Sequence, residues 1–190
     1  MNNISGYLEL YVGPMWSGKT SELVKIYKRF KHCDIPVLAI NYIDDNRYST
    51  NRITTHDNTS IPCVKAGILS DISNIVHNEN TPIFDKAKVI LINEGQFFND
   101  ILEWVICAVE THKKQVYICG LDGDFKRKPF GNLLDLIPLC DKVTKLTSCC
   151  NNCKKNHALF SHRLDNETKQ TVIGNNYIAV CRECYISLNS

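Results

Sequence analysis

An α/β fold built on a parallel sheet is predicted by three observations. Short apolar runs recur along the chain: GYLELYV at 6–12, PVLAIN at 36–41, VILI at 89–92, VYICGL at 116–121 and KVTKLTS at 142–148. Segments with helical spacing of apolar residues separate them. The central runs are apolar throughout rather than alternating, the pattern of strands covered on both faces. Strands that alternate with helices imply parallel neighbours joined by crossovers.

Taken in order, the first run leads into GPMWSGKT, that is Gly13, Pro14, Met15, Trp16, Ser17, Gly18, Lys19 and Thr20. This fits G-x-x-x-x-G-K-[ST], a loop whose backbone N–H groups cradle phosphates where side chains stay clear. Lys19 would bring an ammonium to the outer phosphates, and Thr20 a hydroxyl to Mg²⁺. Downstream, Leu23, Val24, Ile26, Tyr27 and Phe30 repeat at helical spacing. Strand, loop and helix in that order specify a P-loop NTPase-type sheet, with the anion at the positive end of the helix. The basic positions of that helix read as solvated surface.

After the second run, 42–60 is polar and turn-rich, and is expected to be a long loop. It carries Asp44, Asp45, Arg47, His56 and Asp57. Two readings stand side by side: a solvated flap, or a segment in which Asp45 and Arg47 face the nucleotide phosphates and metal. Helices are expected over 67–78, over 99–112 with Asn99 or Asp100 as cap, and over 131–137. Ligands of such sheets gather beyond the C-terminal strand ends. The phosphate loop, 93–98 and 122–125 should therefore converge on one crevice.

Asn93 and Glu94 sit where the VILI strand breaks into a loop. A carboxylate at that place suits a general base that takes a proton from an attacking hydroxyl. A metal-organising or capping carboxylate is the plain alternative. Phe97, Phe98 and Phe125 lie near the same edge and could sandwich a planar base beside Gln96, although a Phe after a strand is more often core.

Cys150 and Cys153, then Cys181 and Cys184, form two C-x₂-C pairs. Four thiolates complete a tetrahedral zinc shell with no open position, hence a structural metal. Cys149 adjoins Cys150 but is out of step with Cys153. The remaining cysteines, Cys33, Cys63, Cys107, Cys119 and Cys140, read as small buried hydrophobes. The chain divides on this reading into an α/β nucleotide-binding domain, 1–148, and a small zinc-binding domain, 149–190. The stretch between the pairs would be a loop tied down by metal at both ends, a plausible lid.

Composition narrows the rest. The chain has 190 residues, 44% apolar and 22% charged, with a formal net charge of +2. That balance argues against nucleic acid or membrane as the main partner. No secretory signal or membrane-length apolar run is visible. Ten cysteines in that setting read as reduced thiols or metal ligands, hence a cytoplasmic location.

In this order, GPMWSGKTSEL, DNRYSTN, THD, NEGQFF, LDGDFKRKPFGNLLDLIPL, KLTSCCNNC and YIAVCRECY resemble the type II thymidine kinases, the zinc-containing enzymes of animal cytosol, many bacteria and poxviruses. The short termini are most like the poxvirus members. The resemblance implies transfer of the ATP γ-phosphate to the 5′-hydroxyl of thymidine, with deoxyuridine also accepted, in nucleotide salvage. It implies Mg²⁺ with the ATP, a structural Zn²⁺, a homotetramer and feedback inhibition by thymidine triphosphate. By position, Glu94 matches the general base and Gly13 to Thr20 the ATP loop. Phe97, Leu121 and Phe125 match thymidine-pocket residues. Gln170, Thr171, Val172, Ile173 and Gly174 match a lasso whose backbone holds the base edge, and Tyr177 matches the aromatic that closes over it. Three departures stand out: Asn93 where the family has a metal-linked Asp, Asn41 where a Lys is expected, and a lasso two residues shorter. The rival reading is a P-loop ATPase or nucleotide switch with a structural zinc ribbon, in which Glu94 activates water.

Overall fold

The computed structural model describes residues 5–45, 51–77, 81–165, 167–170 and 176–189. Its centre is a parallel sheet of β1 (Tyr7–Val12), β2 (Val37–Tyr42), β3 (Val64–Ala66), β4 (Val89–Ile92), β5 (Gln115–Gly120) and β6 (Lys142–Lys145). The strands lie in the order β6-β1-β5-β4-β2-β3, and every neighbouring pair runs parallel. Register brings Val12 beside Gly120 and Lys145, and Ile92 beside Ile40 and Ile118. The segments after β1, β4 and β5 therefore leave from one edge of the sheet, as parallel topology requires.

Burial on both faces explains the continuous apolar runs. Ile90 and Ile92 face one cluster with Leu10, Ile118, Phe98, Ile101 and Leu133. Val89 and Leu91 face the other, with Tyr117, Leu23, Val24 and Ile26 from α1 (Lys19–His32). Alternate residues of a strand point to opposite faces, so a strand with no solvent face is mostly apolar along its length. Phe98 is fully buried and belongs to the core.

Several expectations are corrected. The polar stretch 42–60 is not one loop: Arg52–Thr54 pairs with Ser60–Pro62 as an antiparallel hairpin, and Ile53 and Ile61 are buried against α1. Only Leu69–Asn74 of the helix expected over 67–78 forms, as a 3₁₀ segment, because Val76 and His77 pair with Pro82 and Thr81 as an antiparallel ribbon. The helix expected over 99–112 is α2 (Ile101–Ile106) followed by a π-type turn, Cys107–Thr111. Asp100 stands at its start but makes no side-chain cap. Its carboxylate instead accepts the backbone N–H groups of Leu69 and Ser70 at 3.1 and 2.9 Å, capping the 3₁₀ segment across the tertiary fold. The segment around 131–137 is also 3₁₀, over Leu133–Leu139. Cys33 and Cys107 are exposed rather than buried, whereas Cys119 is buried.

The C-terminal part has its own small apolar cluster of Cys150, Ala158, Ala179, Val180, Cys181, Cys184 and Tyr185. It is built on the antiparallel pair β7 (Phe160–Arg163) and β8 (Tyr177–Val180), with α3 (Arg182–Leu188) following. A second ribbon, Ser148–Cys149 with His157–Ala158, joins it to β6. Among the described residues no helix is long and apolar enough to cross a membrane.

Candidate active site

The phosphate loop leaves β1 at Val12 and enters α1 at Lys19. At Gly13 a Cβ would lie 2.4 Å from the Leu146 carbonyl oxygen, so the neighbouring strand's continuation demands glycine here. Gly18 is different. A Cβ there would meet nothing within 4 Å, but its φ of +83° at the helix start favours a residue without one. Lys19 folds back over the loop, its Nζ donating to the Pro14 carbonyl at 2.6 Å and to Ser17 Oγ at 3.4 Å. The ammonium is thus held over the loop by one of the loop's own carbonyls and a hydroxyl. Thr20 is half-buried in the first turn of α1. Trp16, 48% exposed, stacks on His56 of the hairpin turn with ring centroids 3.9 Å apart. The hairpin missed in the sequence therefore flanks the loop.

Glu94 directly follows the end of β4 and Asn93, in a left-handed conformation (φ +56°) that turns the chain sharply out of the strand. Gln96 fixes it: Nε2 donates to Glu94 Oε2 at 2.8 Å, and Oε1 accepts the Leu121 N–H at 3.0 Å. Gln96 is itself 3% exposed. A Cβ on Gly120 would come within 2.5 Å of its Oε1, so glycine at the end of β5 leaves room for this amide. One buried side chain thereby ties the segment after β4 to the segment after β5.

Asn93 is buried, and its amide is occupied by other protein groups. Nδ2 donates to Asn41 Oδ1 at 2.9 Å, Oδ1 accepts the Cys119 thiol at 3.0 Å, and Asn41 Nδ2 continues to Asp45 Oδ2 at 3.2 Å. Two of the departures from the resembled family, Asn41 and Asn93, are thus bonded to each other as a neutral pair. Asp45 is placed at the same sheet edge through this chain of amides. Arg47 lies outside the described residues.

The aromatic positions gather here too. Phe97 packs against Tyr42 and Phe130, with centroids 4.9 and 5.5 Å apart. Leu121, at the end of β5, is half-buried. Phe125 follows in a turn organised by Asp124, whose Oδ1 accepts the N–H groups of Lys126 and Lys128. Asp124 Oδ2 accepts Gln170 Nε2 at 2.9 Å, which brings that part of the C-terminal segment to the sheet edge. Thr171, Val172, Ile173 and Gly174 lie outside the described residues. Tyr177, on β8, accepts a hydrogen bond from Arg163 Nε at 3.1 Å.

Sequence reading missed Gln96 as an anchor and Ser161, placed Asp124 only within 122–125, and placed Arg163 only within the stretch between the cysteine pairs. Arg163 is 5% exposed, and its place between the two cysteine pairs was the one signal the sequence carried for it.

The four thiols of Cys150, Cys153, Cys181 and Cys184 lie within 4.8 Å of one another, and Cys149 is not among them. The Sγ atoms of Cys153 and Cys181 are 3.9 Å apart, close to the roughly 3.8 Å edge that Zn–S bonds of about 2.3 Å give a tetrahedron. Backbone N–H groups serve the sulfurs, as Cys181 N to Cys150 Sγ at 3.3 Å. Burial works against ionisation of Cys150, but N–H groups of Cys153, Cys181 and Asn152 outweigh it and bring its thiol down to about 6. At Cys184 the Asn152 side chain favours the thiolate, yet burial and the three neighbouring thiols prevail and raise it to about 11.

Comparison with known proteins agrees with this arrangement. The thymidine kinase family profile matches residues 6–185. The chain is 42% identical over 184 residues to a variola virus thymidine kinase, covering 95% of this chain and 97% of that one. It is 41% identical over 184 residues to the thymidine kinase of vaccinia virus strain Western Reserve, with the same coverage. With the thymidine kinase of Yaba monkey tumor virus it shares 40% identity over the full length of both chains. A phosphate loop, an anchored carboxylate and a four-thiol cluster, carried on a parallel sheet and matched across nearly the whole sequence, place this chain in the thymidine kinase family.

Proposed function

We propose that the protein transfers the γ-phosphate of ATP to the 5′-hydroxyl of thymidine, with deoxyuridine as a second acceptor. The observation that carries this reading is the placement of Lys19 and Glu94 on segments that leave one edge of a single sheet, with Gln96 fixing the carboxylate. In phosphoryl transfer the protein contributes mainly positioning and charge. The loop 13–20 holds the phosphates with its backbone N–H groups. Lys19 exchanges the Pro14 carbonyl for phosphate oxygens. Glu94 accepts the proton of the 5′-hydroxyl as that oxygen attacks phosphorus, and the Gln96 amide keeps the accepting carboxylate from turning away. Phe97, Leu121, Phe125 and Tyr177 form the apolar walls for the base. Gln170 and the neighbouring 171–174 present backbone groups to its edge.

Magnesium would be held through the Thr20 hydroxyl and the Asp45 carboxylate, hard oxygen donors of the kind it prefers, with Asn93 acting only through water. Bound there, it neutralises phosphate charge. Zinc would sit among Cys150, Cys153, Cys181 and Cys184 as a structural ion. The division into 1–148 and 149–190, inhibition by thymidine triphosphate at the same site, assembly as a homotetramer and a reducing, cytoplasmic setting belong to the same reading.

The test is a nucleoside panel with ATP, following nucleoside monophosphate and ADP. Thymidine-dependent ADP release is expected. Equal ADP release without any nucleoside would replace the kinase by an ATPase.

A further inference from the structure

β7 sends two buried side chains the same way. Ser161 and Arg163 are each 5% exposed, and two residues apart on a strand they share a face. Ser161 Oγ accepts the backbone N–H of Met15 at 3.1 Å, 146 residues earlier in the phosphate loop. Arg163 turns to the segment that follows its own strand. Nη1 donates to the carbonyls of Glu167 and Lys169 at 2.7 and 2.6 Å, and Nη2 to that of Gln170 at 3.2 Å. Its guanidinium also donates to the Tyr177 hydroxyl and lies 3.8 Å from the centroid of the Phe125 ring. The carboxylate of Asp165 lies 3.9 Å from Nε.

A guanidinium buried chiefly against neutral carbonyls is an expensive way to fill space, because removal of a charge from water is unfavourable unless its donors are matched. A hydrophobe could pack on Phe125 but could not hold three carbonyls of an exposed segment in one register. That segment, 167–170, runs directly into 171–174, and Tyr177 and Phe125 are the aromatics assigned to the nucleoside. Arg163 thus touches Gln170, Tyr177 and Phe125 of the nucleoside side, while Ser161 touches the nucleotide side. One short strand joins them.

We propose that this face of β7 couples the two substrate sites: Arg163 and Ser161 are positioning residues through which an ordered phosphate loop favours the nucleoside-holding segment, and the reverse. The proposal rests on the kinase reading above and deepens it. Coupling between two sites is reciprocal, since each ligand must change the other's affinity by the same factor. The serine hydroxyl transmits through a single backbone hydrogen bond, so its loss separates the sites without removing a group that contacts either ligand. Arginine loss instead frees the segment itself.

The experiment is calorimetric titration of thymidine into the full-length zinc-loaded protein, with and without a saturating non-hydrolysable ATP analogue. The analogue is expected to tighten thymidine by about fivefold or more, the usual range for such coupling. In Ser161→Ala this factor should fall to below about twofold, with the thymidine Kd measured alone changing by less than about threefold. Arg163→Gln should weaken thymidine alone by about tenfold or more and leave the analogue's Kd within about threefold. Should that variant lose its fold by circular dichroism, Arg163→Lys replaces it. Lysine keeps the charge and lacks the fork, so thymidine weakens again while the analogue does not. An unaltered coupling factor in Ser161→Ala, equal weakening of both ligands by the Arg163 variants, or no coupling in the unsubstituted protein would overturn the proposal while leaving the kinase reading intact. Failure of the unsubstituted protein to bind thymidine would overturn both.

Discussion

The sheet edge and the C-terminal part solve the same problem, holding a polar group still, by opposite means. At the sheet edge, order comes from packing. Glu94 and Asn93 follow a strand buried on both faces, and the buried amides of Gln96, Asn41 and Asn93 bond to one another's surroundings. In the C-terminal part the apolar cluster is small, and four thiols, one guanidinium and a few carbonyl acceptors replace a core. Small units that cannot bury enough apolar surface need such staples. The difference teaches where each region should be robust: the sheet edge inherits the stability of the sheet, whereas the C-terminal part relies on its thiol cluster and one arginine.

The comparison is broken most severely at the chemistry itself. Glu94→Gln keeps the shape and the Gln96 contact but removes the proton acceptor. Its kcat should fall by about 10²–10⁴-fold, while binding of an ATP analogue stays within about threefold. Steady-state kinetics paired with calorimetry check this, and retained turnover would take Glu94 out of the base role. Next in size is zinc removal. A chelator should abolish amide-exchange protection in β7, β8 and α3, because metal binding supplies much of the folding free energy of such sites. Amides of β1, β4 and β5 should keep theirs, and thymidine KM should rise far more than ATP KM. Equal loss in both regions would show that they form one cooperative unit.

Gln96→Ala sharpens the packed side. It strands the Leu121 N–H and unpins Glu94, so kcat is expected to fall by about tenfold, and stability by about 1–3 kcal/mol in chemical denaturation. The smallest effect belongs to Asn93→Asp. A carboxylate there raises charge near the metal and should tighten the apparent Mg²⁺ affinity, read from a Mg²⁺ titration of activity. It also faces Asn41 Oδ1 with lone pairs on both sides, which destabilises by about 1–3 kcal/mol. Asn41→Lys in the same chain should recover stability beyond the sum of the two single changes, as expected for touching residues. Additive effects would mean that the substituted side chains at 41 and 93 gain no coupling over the amide pair.

The same contrast separates what was legible in the sequence from what was not. The runs around Leu91 and Ile118 could be read because double burial leaves only apolar residues. The phosphate loop and the two cysteine pairs could be read because their chemistry fixes short spacings. The hairpin of 52–62 was hidden, since it shows only Ile53 and Ile61 among polar neighbours and gains its stability by packing on α1. β3 was hidden for the same reason: three residues become a strand because β2 offers an edge. Asp100 looked like a cap for the helix it precedes and instead caps a segment thirty residues earlier. Arg163, Ser161 and Gln96 act through partners distant in the chain, a relation that no local pattern encodes.

The stack of Trp16 on His56 carries a practical consequence. The chain has two tryptophans; Trp104 is buried beside Phe84, whereas Trp16 is half in water on the phosphate loop. An ATP analogue is therefore expected to change the emission of Trp16 and leave that of Trp104 unaltered, an outcome that a fluorescence titration reads in real time without any dye.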